Sequence, residues 1–238
     1  MQASYLWKKL FAKKHLMEHY EEKIKDKPSV GLDKVSPKKF EEALDENVEI
    51  IIRKVMNGSY HFTRYKQLLF TKGPVKPPRA ICVPTLRDKL TASVLNELLV
   101  GVYGDECKTM MPQLIIDDIT NKIPLYEYFI KLDVKSFYGS INQDKLIKII
   151  KKRIHKPEII SLIWNSIRTE ALTYPIKEKV EKKERTIGVP EGLPISNTLA
   201  NIYICITLIE NTERLIIYHI TDMLMTFWFW LMKINFQM

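Results

Sequence analysis

The residue with the clearest chemical potential is Asp133, in the segment KLDVKSFYGSI. Apolar and polar residues alternate from Tyr128 to Val134, which predicts a β-strand carrying this aspartate near its end. A carboxylate at a strand end, followed at once by a turn, is well placed to hold a hard cation, because Mg²⁺ is usually bound by one or two carboxylates with substrate phosphates and water. Taken alone, the segment favours the simpler interpretation of an aspartate in a turn.

Two further segments could contact an anionic ligand. In GVPEGLPISNTLA, two glycines four residues apart flank a proline, so the backbone can approach a ligand closely, and Ser196 and Asn197 could cap the helix that follows. In PPRAICVPTLRDKL, Arg79 on a short predicted strand could face a triphosphate. Each segment by itself is also typical of an ordinary turn or a basic loop.

The elements that must position these residues include several helices. Four helix starts are predicted, at Ser36, Thr85, Asn142 and Pro157. Each of these residues is of a type that commonly begins a helix, and apolar residues follow it at helical spacing. The first of these helices is predicted to run unbroken to Gly58, and residues 110–124 give no clear prediction.

Short strands are predicted between the helices. Residues 67–70 and 79–83 predict a β-hairpin across Gly73-Pro74, and the charged stretch 174–187 predicts a solvated hairpin. This alternation of helices and short strands indicates the α+β class.

Composition limits the class of protein. Of 238 residues, 46% are hydrophobic and 27% are charged, which excludes a disordered tail, a fibrous repeat and a disulfide-rich peptide. Three distant cysteines offer neither a thiolate zinc site nor a disulfide framework, so we expect a cytoplasmic protein. The net charge of +9 indicates a polyanionic partner, nucleic acid before a membrane surface. We expect no signal peptide and no membrane contact, since the longest apolar run, 223–232, is too short to span about 30 Å.

In their order along the chain, the three segments resemble the bacterial reverse transcriptases of the group II intron, retron and defence-associated types. The resemblance covers about residues 27–203, after a helical extension over 1–26. It implies the right-hand polymerase architecture, here with fingers and an incomplete palm and with the thumb absent. It also implies RNA-directed DNA synthesis from dNTPs, with an RNA template, a DNA or RNA primer, Mg²⁺ and a cognate structured RNA as partners.

The resemblance assigns a nucleotide-binding role to four residues. Arg79 would contact the incoming triphosphate, and Tyr138 would pack under the deoxyribose and exclude a 2′-hydroxyl. The backbone of Glu191 and Gly192 would line the pocket. Glu191 stands where the family usually has glutamine, which places a carboxylate near an anionic substrate and puts full nucleotide affinity in question.

The resemblance also makes Asp133 a catalytic metal ligand, helped by the carbonyl of Val134. Phosphoryl transfer with two metals needs carboxylates that hold two Mg²⁺ about 3.5–4 Å apart, and one aspartate cannot hold both. The family takes its remaining carboxylates from a Tyr-x-Asp-Asp turn on a later hairpin, and this sequence contains no such turn.

The codons of residues 222–230 can encode the missing turn in a different reading frame. If the third base of each codon over 222–230 is read with the first two bases of the next, the string Tyr-Ala-Asp-Asp-x-Leu-Val-Leu is permitted, and Met225-Thr226 must give Asp. We therefore predict that the reading frame changes soon after Tyr203 and that residues 204–238 are an out-of-frame tail. The alternative is a genuine short C-terminal extension. With the change, the chain as encoded would be an inactive fragment.

Two basic clusters could meet the phosphates of a template–primer duplex: Lys151, Lys152 and Arg153, and Lys182 with Lys183. For any single lysine, a solvated helix face or loop is the more common explanation. Two rival functions therefore stay open: a non-catalytic RNA-binding module, and a template-independent nucleotide polymerase of a defence system.

Overall fold

The fold begins with a layer of short helices. The computed structural model describes residues 3–26, 29–71, 73–74, 78–104, 112–122, 124, 129–133, 136–173, 183–211, 217–220 and 226–230. Helix α1 spans Ala3–Leu10 and α2 spans Lys13–His19, which continues into a π-helical turn, Tyr20–Ile24. Their apolar faces are buried, with the side chains of Trp7 and Leu16 fully enclosed. Both α1 and α2 pack on the long helix α5, Leu86–Tyr103.

The single helix predicted from Ser36 to Gly58 is in fact two, so that prediction was wrong. Helix α3 spans Pro37–Glu42 and α4 spans Leu44–Met56, and between them Ala43 leaves the helical region with φ −111° and ψ 23°. The carbonyl of Ala43 accepts hydrogen bonds from both the backbone and the side-chain nitrogen of Asn47, at 3.0 and 2.8 Å. Ala43 therefore ends one helix and starts the next.

A three-stranded sheet carries the predicted hairpin. Strand β1, Tyr65–Phe70, pairs antiparallel with β2, Arg79–Val83, which confirms the hairpin. Strand β4, Ala171–Thr173, adds to the other side of β1 in parallel, so the order is β2-β1-β4. The sequence analysis did not predict β4, because three residues carry too little alternation to be recognised.

The predicted helix starts are confirmed where they rest on local capping. The Thr85 hydroxyl accepts from the backbone of Asp88 at the start of α5, and the Asn142 side chain accepts from Lys145 at 2.8 Å. The remaining helices are α6 (Pro112–Lys122), α7 (Phe137–Ser140), α8 (Gln143–Lys151), α9 (Pro157–Arg168) and α10 (Ser196–Asn211). Helix α6 lies within residues 110–124, whose weak periodicity allows no clear prediction. Most of the predicted hairpin over 174–187 lies outside the described residues.

A second sheet contains the segment with the candidate metal ligand. Strand β3, Phe129–Asp133, pairs antiparallel with β6, Thr226–Trp230, and β6 pairs antiparallel with β5, Ile217–Ile220. Asp133 is the last residue of β3, as predicted, and it lies opposite Thr226.

One contiguous apolar core joins the helices around the first sheet. Fully buried side chains from most of the helices meet in it, among them Val48, Leu95, Ile150, Ile163 and Leu199. Mixed helices and small sheets confirm the α+β class. Among the residues that the structure describes, no helix has both the length and the apolar character needed to cross a membrane.

Candidate functional site

The glycine-containing turn before α10 is docked on strand β2. The backbone N–H of Cys82 donates to the carbonyl of Glu191 at 2.7 Å. Gly192 has φ +102°, and a Cβ there would lie 2.7 Å from the Cys82 carbonyl oxygen, so no other residue fits without displacing the strand. The sequence analysis predicted close backbone approach to a ligand. In the structure, the absence of a side chain at Gly192 allows the turn itself to approach β2 closely.

The same turn is docked on the segment that carries Tyr138. Gly188 donates its N–H to the Ile141 carbonyl at 2.9 Å, and Val189 donates to the Tyr138 carbonyl at 2.8 Å. The turn thus bridges β2 and α7, which are more than fifty residues apart in sequence. The turn therefore brings Arg79 of β2 and Tyr138 of α7 to the same cavity.

Tyr138 is held in place by its neighbours along α7 and by α10. The preceding residue, Phe137, is buried and anchors α7 in the core. The Tyr138 hydroxyl donates to the side-chain oxygen of Asn197 at 2.5 Å. The prediction that Ser196 caps α10 was wrong, since its hydroxyl donates to the carbonyl of Pro190 and ties the turn to the helix start.

These elements enclose a cavity of about 460 Å³. All four residues assigned to nucleotide binding line it: Arg79, Tyr138, Glu191 and Gly192. The other lining residues are Ser29, Ile81, Cys82, Val83, Pro84, Lys89, Leu193, Pro194 and Asn197. The structure therefore brings together residues from three segments, of which the first and the last are more than a hundred positions apart.

The charge in this cavity is set by an ion pair. The Nε of Arg79 donates to Oε1 of Glu191 at 2.6 Å, and a terminal guanidinium nitrogen contacts the same oxygen. The side chain of Arg79 is about half exposed, whereas that of Glu191 is 23% exposed. The guanidinium that the resemblance assigns to a triphosphate is thus already engaged by a carboxylate.

Lys89 is a second cationic residue of the cavity, and the sequence analysis missed it. It lies one helical turn after Thr85, the residue that caps α5, and its N–H donates to the Thr85 carbonyl at 2.8 Å. The cap identifies the helix start, but the cavity that Lys89 lines forms only where the turn before α10 docks on β2. Burial raises the pKa of the nearby Cys82 thiol, which is therefore protonated at neutral pH.

The predicted metal ligands lie mostly outside the described side chains. Asp133 has its backbone in β3, and Val134 lies outside the described residues. The strand opposite, β6, reads Thr-Phe-Trp-Phe-Trp and offers no carboxylate.

The predicted nucleic-acid contacts lie on other surfaces. Lys151, Lys152 and Arg153 are exposed at the end of α8, and the Arg153 guanidinium lies 5.0 Å from the centre of the Tyr103 ring. Lys183 is exposed, and its backbone donates to the Glu170 carboxylate at 3.2 Å, whereas residue 182 lies outside the described part of the chain. Among the described residues of the two clusters, Lys151, Lys152, Arg153 and Lys183 do not line the 460 Å³ cavity.

The fold defines a class of protein, a partial right-hand polymerase fold. The family model for reverse transcriptase (RNA-dependent DNA polymerase) matches residues 70–227, and the chain belongs to that family. This confirms the resemblance drawn from the three segments.

Curated relatives and solved structures agree with this family. The chain is 26% identical over 201 residues to the COX1/OXI3 intron 1 protein of Saccharomyces cerevisiae, covering 79% of the chain and 23% of that protein. It is 24% identical over 168 residues to the group II intron-encoded protein LtrA of Lactococcus lactis, covering 67% of the chain and 27% of that protein. The chain thus spans about a quarter of the length of these relatives. A partial Cas6-RT-Cas1–Cas2 complex matches with a TM-score of 0.52 and 15% identity, over 94% of this chain and 38% of that one, which shows a common fold.

Proposed function

We propose that this chain forms the fingers and part of the palm of an RNA-directed DNA polymerase, and that its nucleotide pocket is assembled while its metal centre is not. The observation that carries the proposal is the convergence of Arg79, Tyr138, Glu191 and Gly192 on one cavity. In the assembled enzyme Arg79 would bind the triphosphate of a dNTP, and the ring of Tyr138 would lie against its sugar. The template would be RNA and the primer DNA or RNA.

The residues of the second sheet do not fit the two Mg²⁺ ions that such a polymerase uses. Two metals about 3.5–4 Å apart need several carboxylates. Strand β3 supplies Asp133, while the partner position on β6 is Thr226, and the rest of β6 is aromatic. In the described strands of this sheet, the chain as encoded therefore lacks the carboxylates that a two-metal step needs.

The strand register supports the proposed change of reading frame. In the shifted frame the codons of Met225 and Thr226 give an aspartate. Thr226 is the residue that lies opposite Asp133 in the paired strands. An aspartate from the shifted frame would therefore lie beside Asp133, where a shared metal needs a second carboxylate. We infer that residues 204–238 stand in place of an in-frame segment carrying Tyr-Ala-Asp-Asp.

The names of the relatives bear on the partner. Two of them are described as intron proteins, one of a group II intron. We infer that the natural partner of this chain is a structured RNA of the same kind. A non-catalytic RNA-binding role is the second candidate for the chain as encoded, and its supporting observation is the lack of a second carboxylate on β6.

Primer extension on an RNA template with Mg²⁺ tests this proposal. Three proteins are compared: the chain as encoded, a version whose frame is restored to encode Tyr-Ala-Asp-Asp, and the restored version with Asp133→Asn. We expect templated DNA synthesis only from the restored protein, and a loss of at least about a thousandfold with Asp133→Asn.

Other outcomes of that assay would contradict the proposal. Robust extension by the chain as encoded, or near-normal extension by the Asp133→Asn version, would exclude the assigned metal centre. Untemplated tails from the restored protein would support the template-independent polymerase instead. RNA binding without any synthesis by the restored protein would support the binding module.

A further inference from the structure

A cluster of two histidines and a glutamate lies where the N-terminal helices pack on α5. His15 and His19 are four residues apart and therefore occupy one face of α2. Glu97 faces them from α5. The Nε2 of His15 lies 3.0 Å from Oε2 of Glu97, and the Nδ1 of His19 lies 3.2 Å from the same oxygen.

The spacing of these atoms is that of a metal site. The three potential ligand atoms all lie within 4.8 Å of one another. Four ligands around Zn²⁺ at about 2.0–2.1 Å would be separated from each other by roughly 3.3 Å. Two of the three separations, 3.0 and 3.2 Å, are already close to this value, and the third is no more than 4.8 Å.

The other ring nitrogen of His19, Nε2, has the kind of hydrogen-bond partner that a metal-bound histidine usually has. Its Nε2 lies 2.7 Å from the hydroxyl of Ser93, which is one turn before Glu97 on α5. A ligating histidine usually has its other ring nitrogen in such a hydrogen bond, which fixes the orientation of the ring.

The cluster is accessible from one side. The side chain of His19 is 9% exposed, whereas those of His15 and Glu97 are 26% and 43% exposed. A metal could therefore enter from solvent and keep a water as its fourth ligand. None of the three residues lines the nucleotide cavity, so this site is independent of the proposed polymerase function.

We propose that His15, His19 and Glu97 bind a zinc ion that fastens α2 to α5. Two imidazoles and one carboxylate suit Zn²⁺ and not Mg²⁺, which prefers oxygen ligands throughout. Because α2 and α5 belong to different parts of the chain, the ion links residues 82 positions apart. Binding stabilises the folded chain, since the unfolded chain does not hold the three ligands together.

The test uses the full chain without a polyhistidine tag, titrated with Zn²⁺ in competition with a chromogenic chelator. We expect one Zn²⁺ per chain, with affinity lowered at least tenfold by His15→Gln and by Glu97→Gln. His61→Gln and His155→Gln are the matched controls, because both side chains are exposed and lie outside the cluster. These two controls should bind as the parent chain does.

Two further measurements keep the result clear if a variant folds poorly. Zn²⁺ at about a hundred times its dissociation constant should raise the Tm of the parent chain by roughly 5 °C and leave that of Glu97→Gln unchanged. Co²⁺ bound to the parent chain should give the visible bands of a four-coordinate nitrogen–oxygen site. No stoichiometric zinc binding, unchanged binding by both variants, or a cobalt–thiolate band from the cysteines would overturn the proposal.

Discussion

The Arg79–Glu191 ion pair reduces the positive charge that the proposed nucleotide cavity offers to a phosphate. Glu191 stands where glutamine is usual in the family that the sequence resembles, and its carboxylate lies directly on the guanidinium. A nucleotide must therefore displace a charged partner before Arg79 can bind it. The pair is partly exposed, so its strength is modest.

Replacement of this carboxylate should strengthen nucleotide binding. We expect Glu191→Gln to tighten dNTP binding by the chain about two- to fivefold, measured by titration with a fluorescent dNTP, because a partly exposed ion pair contributes about 0.2–1 kcal/mol. Glu184→Gln is the control of equal charge change, since Glu184 pairs with Arg168 outside the cavity. Equal affinities for Glu191→Gln and the parent chain would show that Arg79 does not meet the phosphates.

Tyr138 should control the choice of sugar in the frame-restored protein. Its ring lines the cavity and its hydroxyl is held by Asn197. We expect Tyr138→Ala to raise ribonucleotide incorporation relative to deoxyribonucleotide by at least tenfold, because the smaller side chain leaves room for a 2′-hydroxyl. Tyr138→Phe should keep the discrimination, and Tyr203→Ala, a tyrosine outside the cavity, is the control. An unchanged ratio in Tyr138→Ala would assign the ring to packing alone.

At the scale of elements, the docking of the turn at 188–193 on β2 assembles the cavity. Gly192 has a backbone conformation that other residues rarely adopt, and its position leaves no space for a Cβ. We expect Gly192→Ala to lower the free energy of unfolding by about 2 kcal/mol or more and to weaken dNTP binding, measured by urea denaturation and titration.

Gly139→Ala is the matched control for that change. A Cβ at Gly139, in α7, would meet no heavy atom within 4 Å, so this variant should be as stable as the parent chain. If both alanine variants were equally stable, the close contact between the turn and β2 would not be required for the fold.

The start of α5 is fastened to the loop before β1 by one buried carboxylate. Asp88 accepts hydrogen bonds from the hydroxyls of Tyr60 and Thr85, each at 2.8 Å, and from the backbone of Thr63 at 3.0 Å. Burial raises the pKa of Asp88 above 3.8, although these hydrogen bonds oppose the shift. A carboxyl group with a raised pKa binds its proton more tightly in the folded chain, so its contribution to stability falls as pH rises from about 3.8 through the folded pKa.

Loss of this carboxylate should destabilise the chain. We expect Asp88→Asn to lower the free energy of unfolding by about 1–3 kcal/mol. The amide nitrogen of asparagine cannot accept a hydrogen bond, so at least one of the groups that donate to Asp88 would lose its partner. The difference between Asp88→Asn and the parent chain should shrink as pH rises above 4, measured by urea denaturation over a pH series. Asp144→Asn, an exposed change in the first turn of α8, is the control. A difference that grows with pH would contradict the raised pKa.

For the whole molecule, the net charge of +9 predicts salt-dependent binding to RNA. We expect the double change Lys151→Gln and Lys152→Gln to weaken RNA binding and to reduce the slope of log affinity against log salt by about one to two. The control changes Lys8 and Lys9 to Gln, which removes the same charge from exposed positions on α1. Equal slopes for the two double variants would show that the end of α8 is not a specific contact surface.

Local features of this protein were predictable from sequence because they depend on residues three or four positions apart. The caps at Thr85 and Asn142 satisfy backbone donors of their own first turns, and the hairpin of β1 and β2 follows from alternation around a Gly-Pro turn. The order of the three motif segments was enough to identify the family. The roles of Asp133 and of the basic clusters stay predictions.

What only the tertiary structure decided depends on contacts between distant parts of the chain. The Arg79–Glu191 pair joins residues 112 positions apart, and the cluster of His15, His19 and Glu97 joins residues as far as 82 apart. The sequence analysis could place Arg79 and Glu191 in one pocket only through the family resemblance, and it did not find the histidine cluster. No local pattern encodes such pairs, because the side chains meet only after the buried core has fixed how β2, α2 and α5 pack.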